Sequence, residues 1–202
     1  MIRNASEEVV WDGDSFSFLT GDAPETVHPS LWRQGRLVAV HGQFEVVEGI
    51  YQVRGFDLSN ITFTESDTGV IVADPLISTE TAAAALSLHR EHRGPREVRA
   101  VIYTHSHVDH FGGVHGVASA EAVERGDIEV IAPAGFLDHA VSENVYAGVA
   151  MARRSGYMYG AALPRGGPRG SVGAGLGGTP PRPGGRSASS LRRGRSPPPE
   201  RG

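Results

Sequence analysis

The chain has 202 residues, with 23 acidic and 19 basic side chains, a net charge of −4 and no Cys. At about 150 residues per domain this length predicts one or two domains with a real hydrophobic core, and the absence of Cys excludes disulfide frameworks, thiolate metal sites and cysteine nucleophiles. No apolar run reaches the ~18 residues of a membrane span. The first residues lack an apolar signal core, so a cytoplasmic location is expected as encoded, with secretion or the periplasm open if translation starts upstream.

Charge and composition divide the chain. Residues 1–163 carry 22 acidic and 11 basic side chains, whereas residues 164–202 hold eight Arg, one Glu, 11 Gly and 8 Pro. Such a composition cannot bury a core, so residues 178–202 are predicted to form a disordered Gly/Pro/Arg-rich tail. Arg-rich segments bind phosphate backbones nonspecifically, but this one has no aromatic side chain to stack on bases, and no nucleic-acid partner is expected.

The predicted elements follow from apolar patterning and turn residues. Residues 1–35 are interpreted as an N-terminal arm packed on a domain at 36–177. In chain order, the sequence predicts strand-like segments at 44–53 and 60–65, a turn at 66–69, a strand at 70–74, a helix from 78 to about 92, strands at 98–103 and 128–132, and a helical stretch at 133–159 kinked near 148. Hairpins followed by alternating strands and helices predict an α/β fold with a mixed sheet covered by helices.

Four ligand-type side chains fall within six residues directly after the strand predicted at 98–103. They are His105, His107, Asp109 and His110. In an extended segment residues two apart face the same side, so His105 and His107 can bind one ion through imidazole nitrogen, and a turn after them would direct Asp109 and His110 to a second ion. Imidazole and carboxylate suit Zn²⁺, Mn²⁺ or Fe²⁺. A solvated polar loop is the alternative, but this spacing favours a metal site.

Three other polar residues are candidates for supporting that site. Asp74 ends a predicted strand before Pro75, where it either forms a turn or supports the metal loop from behind. His139 and Glu143 lie four residues apart on a predicted helix and could supply a further ligand, although polar pairs at this spacing are common on helix surfaces.

The segment His105-Ser-His-Val-Asp-His110 matches in full the His-x-His-x-Asp-His motif of the metallo-β-lactamase superfamily, which the chain resembles. The sequence segments 49–60, 103–113 and 131–145 are similar to those of the alkyl sulfatases of that superfamily, enzymes that hydrolyse alkyl sulfate detergents. The resemblance spans about residues 9–175. It implies an αββα sandwich, of which this chain holds an incomplete, N-terminal half.

The resemblance also implies a function: a zinc-dependent hydrolase of alkyl sulfate esters, a small-molecule substrate. His105 and His107 would bind a first Zn²⁺, and Asp109 and His110 a second. Zinc would lower the pKa of a bound water toward ~7, which makes a metal-activated hydroxide the expected nucleophile, with Asp109 as the catalytic residue that orients it. The motif does not separate this function from hydrolysis of thioesters, lactones or phosphoesters on the same fold, or from a non-catalytic fragment.

The sequence also departs from the family. The family's later acidic and histidine ligands and its helical dimerisation domain have no counterpart here, so a homodimer is expected of intact members rather than of this chain. Charge sign, Gly/Pro content and family pattern all change near residue 178, and we expect a frameshift or truncation there. Two protein ligands per ion are fewer than the three usual for catalytic zinc, so weak metal binding and little or no activity are expected.

Overall fold

The predicted hairpins and the strand–helix–strand unit form one main sheet. The structure is a computed structural model of the chain, and it describes residues 1–160, 163–164, 169–174 and 177–178. The strands are β1 (Ile2–Arg3), β2 (Val9–Trp11), β3 (Gly42–Val47), β4 (Ile50–Arg54), β5 (Ile61–Ser66), β6 (Gly69–Ala73), β7 (Val98–Ile102) and β8 (Glu129–Ile131). The helices are α1 (Pro29–Val38), α2 (Thr79–Arg93), α3 (Ala120–Glu124), α4 (Phe136–Val141) and α5 (Gly148–Tyr159), with a π-helix at Ser142–Tyr146 between the last two. Except for Gly178, the predicted tail lies outside the described residues.

The main sheet is mixed, as predicted. Its six strands run in the order β3-β4-β5-β6-β7-β8, antiparallel from β3 to β6 and parallel from β6 to β8, while β1 and β2 form a separate antiparallel pair. Parallel neighbours need a crossover connection, and α2 supplies it between β6 and β7. Within the described ranges there is one large sheet, which is part of an αββα sandwich.

The main core lies between this sheet and α2. Alternate residues of β4 and β5 are fully buried, including Val53, Ile61 and Phe63, and they belong to one cluster with Ala82 and Ala85 of α2. This period-2 burial leaves the intervening residues of the same strands only partly covered. None of the helices among the described residues is long and apolar enough to cross a bilayer.

Two local features differ from the sequence-based expectation, and a third lies where the sequence predicts an irregularity. The segment predicted as one strand at 44–53 is a hairpin, because Gly49 adopts a positive φ of 80° and turns the chain between β3 and β4. The predicted N-terminal arm, residues 1–35, ends inside α1, which continues to Val38. Trp32 of this helix is buried with Trp11 in a second apolar cluster. Near Gly148, where the sequence predicts a kink in one helical stretch, the structure has a π-helix at Ser142–Tyr146 and a new α-helix from Gly148.

The loop after β7 approaches the start of α2 so closely that glycine is required there. A Cβ added at Gly113 would lie 2.2 Å from the carbonyl oxygen of Pro75 and 2.5 Å from that of Ser78. The amide of Gly113 donates to the carbonyl of Leu76 at 2.9 Å. The predicted metal loop is therefore packed against rigid backbone and cannot shift without moving the 75–78 segment.

We expect Gly113→Ala to lower the free energy of unfolding by about 1–3 kcal/mol, because the added methyl overpacks against backbone. The control is Gly156→Ala in α5, where a Cβ would meet nothing within 4 Å and the better helix propensity of Ala stabilises by up to ~1 kcal/mol. Urea unfolding of both variants checks this. Equal stability of Gly113→Ala and the wild type would refute the close approach.

A buried histidine links α2 to the sheet. His89 is fully buried and stacks on Phe63 with ring centroids 4.4 Å apart; its Nδ1 lies 3.1 Å from Oε1 of Gln43. Its Nε2 lies 3.7 Å from Glu65, which Arg93 contacts through two nitrogens at 2.9 and 3.0 Å. Burial lowers the pKa of His89 despite the nearby carboxylate, so the folded protein favours the neutral ring.

Stability should therefore depend on pH through His89. Its folded-state pKa lies below 6.5, so its contribution is present above pH 6.5 and is lost as the pH falls toward that depressed pKa. We expect His89→Gln to be less stable at pH 7 but to lose less stability than the wild type between pH 7 and pH 5.5. The exposed His92, changed to Gln, is the control and should retain the wild-type pH dependence in urea unfolding.

Candidate metal centre

The parallel pairing of β6 and β7 brings Asp74 and Thr104 together, each just beyond the end of its strand. The amide of Asp74 donates to Ile102 of β7 at 3.0 Å. Oδ1 of Asp74 accepts from the Thr104 amide at 2.9 Å, and Oδ2 accepts from the Thr104 hydroxyl at 2.7 Å. Asp74 thus fixes the point at which the chain leaves the sheet and enters the histidine-rich loop.

The backbone around Asp74 is strained and is held in place by its surroundings. Asp74 and Leu76 have positive φ angles of 55° and 61°, a region that Asp tolerates but that costs Leu about 1–3 kcal/mol. Leu76 is fully buried. The next amide, that of Ile77, donates to Oδ2 of Asp57 at 3.1 Å, and this carboxylate also accepts from the Thr81 hydroxyl at 2.8 Å.

Asp57 is itself buried, and this burial raises its pKa. Its two oxygens contact the amides of Leu58 and Ile77 and the hydroxyl of Thr81. In the same loop, the Ser59 hydroxyl donates to the carbonyl of Asp109. The β4–β5 loop therefore supports both the strained turn and the predicted ligand loop.

His105 and His107 face one another. Nε2 of His105 lies 2.9 Å from Nδ1 of His107, and Nδ1 of His105 lies 2.9 Å from Oγ1 of Thr104. The single proton of the Thr104 hydroxyl goes to the Asp74 carboxylate, so Oγ1 accepts from a protonated Nδ1 and leaves Nε2 of His105 without a proton. That lone pair points at His107, where it can bind a proton or a metal cation.

Asp109 and His110 form the second pair of donors. The chain turns through a 3₁₀ turn at Val108–His110, which places Nε2 of His110 3.5 Å from Oδ2 of Asp109. Nδ1 of the same ring lies 3.0 Å from Oδ2 of Asp74. One nitrogen of His110 thus contacts a carboxylate while the other faces the predicted partner ligand, an arrangement common among metal-binding histidines.

These distances fit metal binding. Two donors of one tetrahedral Zn²⁺ lie about 3.3 Å apart, given metal–donor bonds of ~2.0–2.1 Å, and the separations here are 2.9 Å for the His105–His107 pair and 3.5 Å for the Asp109–His110 pair. A third combination also exists: one ligand atom each from Asp74, His105 and His110 lies within 4.8 Å of the others. Movements of a few tenths of an ångström would therefore suffice to hold an ion.

The surroundings of His105 and His110 shift the pKa values of the two rings in opposite directions. Burial lowers the pKa of His105, and the neighbouring rings of His110 and His107 lower it further, which favours the neutral, ligating form. The contact with Asp74 raises the pKa of His110. Burial disfavours ionised Asp74, but the His110 contact and the Thr104 hydrogen bonds outweigh it and hold its pKa below the ordinary value.

The helical arm after β8 reaches the same loop. Tyr103, Phe111 and Phe136 pack with centroids 5.2 to 5.8 Å apart and fasten α4 beside the loop. Of the pair weighed from sequence, His139 is exposed, whereas Glu143 lies against His107 with Oε1 2.7 Å from Nε2.

Several residues around the site were missed by sequence reasoning, because their roles depend on contacts between distant segments. Thr104 precedes the motif and carries no signal of its own, while Asp57 and Ser59 resemble ordinary loop formers. Asp74 is predicted from sequence either to form a turn or to support the metal loop, and the available signal is its position at a strand end before Pro75.

The mixed sheet, with His and Asp side chains clustered at its strand ends, defines an α/β protein with a candidate metal site. The sequence pattern described as "Metallo-beta-lactamase superfamily" matches residues 54–190, and the chain belongs to that superfamily.

Its relatives in that superfamily are alkylsulfatases. The chain is 53% identical over 180 residues to a linear primary-alkylsulfatase of Pseudomonas sp, covering 88% of this chain and 27% of that protein. It is 49% identical over 156 residues to an alkyl/aryl-sulfatase of Saccharomyces cerevisiae, covering 77% and 24%.

A solved structure is also similar. The stereoselective inverting sec-alkylsulfatase Pisa1 from Pseudomonas sp. superposes with a TM-score of 0.82 at 48% identity, covering 89% of this chain and 28% of that one. The chain therefore spans about a quarter of the length of the relatives it matches.

The orienting role of Asp74 can be measured in the metal-free protein. We expect Asp74→Asn to lower the pKa of His110 toward its ordinary value, because it removes the charge at 3.0 Å while Asn still tolerates the positive φ. Asp109→Asn, which removes the charge at 3.5 Å, should lower it less. NMR titration of the His110 ring checks both, and a His110 pKa unchanged by Asp74→Asn would contradict the assignment.

Proposed function

We propose that this chain carries the metal-binding loop of a zinc-dependent hydrolase of alkyl sulfate esters. The observation that carries the proposal is the convergence of two donor pairs, His105 with His107 and Asp109 with His110, at one end of a sheet. The relatives at 49–53% identity are sulfatases named for primary, secondary and alkyl/aryl substrates. A sulfate ester of an organic alcohol is the chemistry common to them.

In this proposal the ion supplies Lewis acidity and activates water at neutral pH. His105 and His107 would hold the first cation, and Asp109 and His110 would hold the second. The facing atoms are Nε2 and Nδ1 in the first pair and Nε2 of His110 and Oδ2 of Asp109 in the second. Asp109 would orient the attacking water through its carboxylate. Asp74 would orient the His110 ring through its contact with Nδ1.

We also propose that the 202-residue chain by itself has impaired activity. Each cation receives two of these side chains, whereas catalytic zinc usually has three protein ligands. The sequence after Gly160 contains no His and a single acidic residue, Glu200, so that part of the chain offers few further donors. Asp74 is the additional carboxylate within reach of His105 and His110, but it is occupied by Thr104.

A chimera tests the assignment. The matching segment of the Pseudomonas linear primary-alkylsulfatase is replaced by residues 1–160 of this chain, and zinc content and sulfate release from dodecyl sulfate are measured. We expect an active, zinc-loaded chimera, a loss of ~100-fold or more in kcat on Asp109→Asn, and little change on Asp138→Asn, an exposed acid of α4. The 202-residue chain alone should release sulfate far more slowly.

Two outcomes would contradict the proposal. A folded, zinc-loaded chimera that cleaves thioesters or phosphoesters but no sulfate ester would overturn the substrate class. Full activity of the Asp109→Asn chimera would overturn the role of that carboxylate.

A further inference from the structure

Glu143 reaches the ligand loop from a π-helical turn 36 residues further along the chain. In this turn the amide of Ala147 donates to the carbonyl of Ser142 at 2.9 Å, a hydrogen bond across five residues. Single π-turns inside helices occur frequently at functional sites. Here the wider turn presents both Glu143 and Asn144 to the same short stretch of the loop.

The two side chains hold the residue between the paired histidines. Oε2 of Glu143 accepts from the Ser106 hydroxyl at 3.3 Å, and Nδ2 of Asn144 donates to the Ser106 carbonyl at 3.3 Å. Oε1 of Glu143 lies 2.7 Å from Nε2 of His107. The loop is therefore fixed at its backbone, at the Ser106 side chain and at the His107 ring.

Counting protons assigns the state of His107. An ionised carboxylate only accepts hydrogen bonds, so the proton of neutral His107 lies on Nε2, facing Glu143, and Nδ1 carries a lone pair. This nitrogen lies 2.9 Å from Nε2 of His105, which is also without a proton because of the Thr104 contact. Two lone pairs thus converge on one point, which a proton or a cation must occupy.

We propose that Glu143 is a positioning residue that selects Nδ1 of His107 as the metal donor. It does so by accepting the Nε2 proton and by fixing the ring plane. The proposal rests on the proposed function for the identity of the metal. Carboxylates that orient ligating histidines in this way typically contribute 10–100-fold to metal affinity.

A surface ion pair without such a role would behave differently. The His107 side chain is 53% exposed and that of Glu143 23% exposed, and exposed pairs contribute little to stability. Removing Glu143 should therefore have little effect on the unfolding transition and a large effect on metal affinity. A structural pair would affect both only slightly.

The first experiment measures Zn²⁺ affinity of the 202-residue chain by competition with a chromophoric chelator. We expect Glu143→Ala to bind Zn²⁺ ~10–100-fold more weakly, and Glu143→Gln to retain most of the affinity, since its amide oxygen accepts from Nε2 and its amide group donates to Ser106. Asp138→Ala removes a carboxylate from the neighbouring α4 and should bind like the wild type. Equal affinity of Glu143→Ala and Asp138→Ala would overturn the proposal.

The second experiment needs no metal and uses long-range ¹H–¹⁵N correlation of the imidazoles. The metal-free wild type should show His107 protonated on Nε2, with a proton observable because it is hydrogen-bonded. This signal should persist in Asp138→Ala and disappear in Glu143→Ala. A His107 protonated on Nδ1 alone in the wild type would overturn the proposal, and so would an Nε2 proton signal that survives in Glu143→Ala.

The two readouts separate this inference from the proposed function. A wild-type chain that shows the Nε2 proton and its dependence on Glu143 but binds no Zn²⁺ would refute the zinc site and leave the positioning of His107 supported. In a zinc-binding wild type, coordination through Nδ1 with the Nε2 proton retained supports the proposal. Coordination through Nε2 overturns it, whatever the activity of the whole protein.

Discussion

The candidate site depends on the contacts of one carboxylate, that of Asp74. It joins the ends of two parallel strands through Thr104 and at the same time lies 3.0 Å from the ring of His110. Through the Thr104 hydroxyl it also determines which nitrogen of His105 is protonated. One side chain thus couples the geometry of the sheet to the protonation and orientation of two predicted ligands, which is why its position at the strand end matters more than its charge alone.

Asp74 is held there by strain that other groups offset. The positive φ angles at Asp74 and Leu76 are unfavourable by themselves, and they persist because Leu76 is buried, Gly113 donates to its carbonyl, and the buried Asp57 accepts from Ile77. Burying a carboxylate is costly unless its oxygens are satisfied. The carboxylate of Asp57 meets this condition, because it accepts from two amides and a hydroxyl. The buried Asp57 therefore helps to maintain the strained turn that holds Asp74 in place.

The mixed α/β sheet and the four candidate ligands could be predicted from the sequence, because both predictions depend on short-range patterns. Apolar alternation, the Ser78 cap of α2 and the His105–His110 spacing are readable within a few residues. The supporting contacts are not: Asp57 meets Ile77 across 20 residues, Thr104 meets Asp74 across 30, and Ser106 meets Glu143 across 37. No periodicity encodes such pairings. From sequence, Glu143 is a possible ligand beside His139, whereas in the structure it belongs to a π-helix and lies against His107.

The two halves of the site are therefore built differently. His105 and His110 are oriented from the sheet, by Thr104 and Asp74, on backbone packed too closely for any residue but glycine at position 113. His107 is oriented from the helical arm, by Glu143, and its ring is half exposed. The lone pairs of His105 and His107 converge only when both supports are in place. In the proposed site, a cation between them would neutralise the repulsion that these supports create, so the energy of holding the two rings together would contribute to affinity for the ion. Movement of the helical arm would relax His107 while leaving His105 and His110 in place, which makes the contact between arm and loop the most adjustable part of the centre.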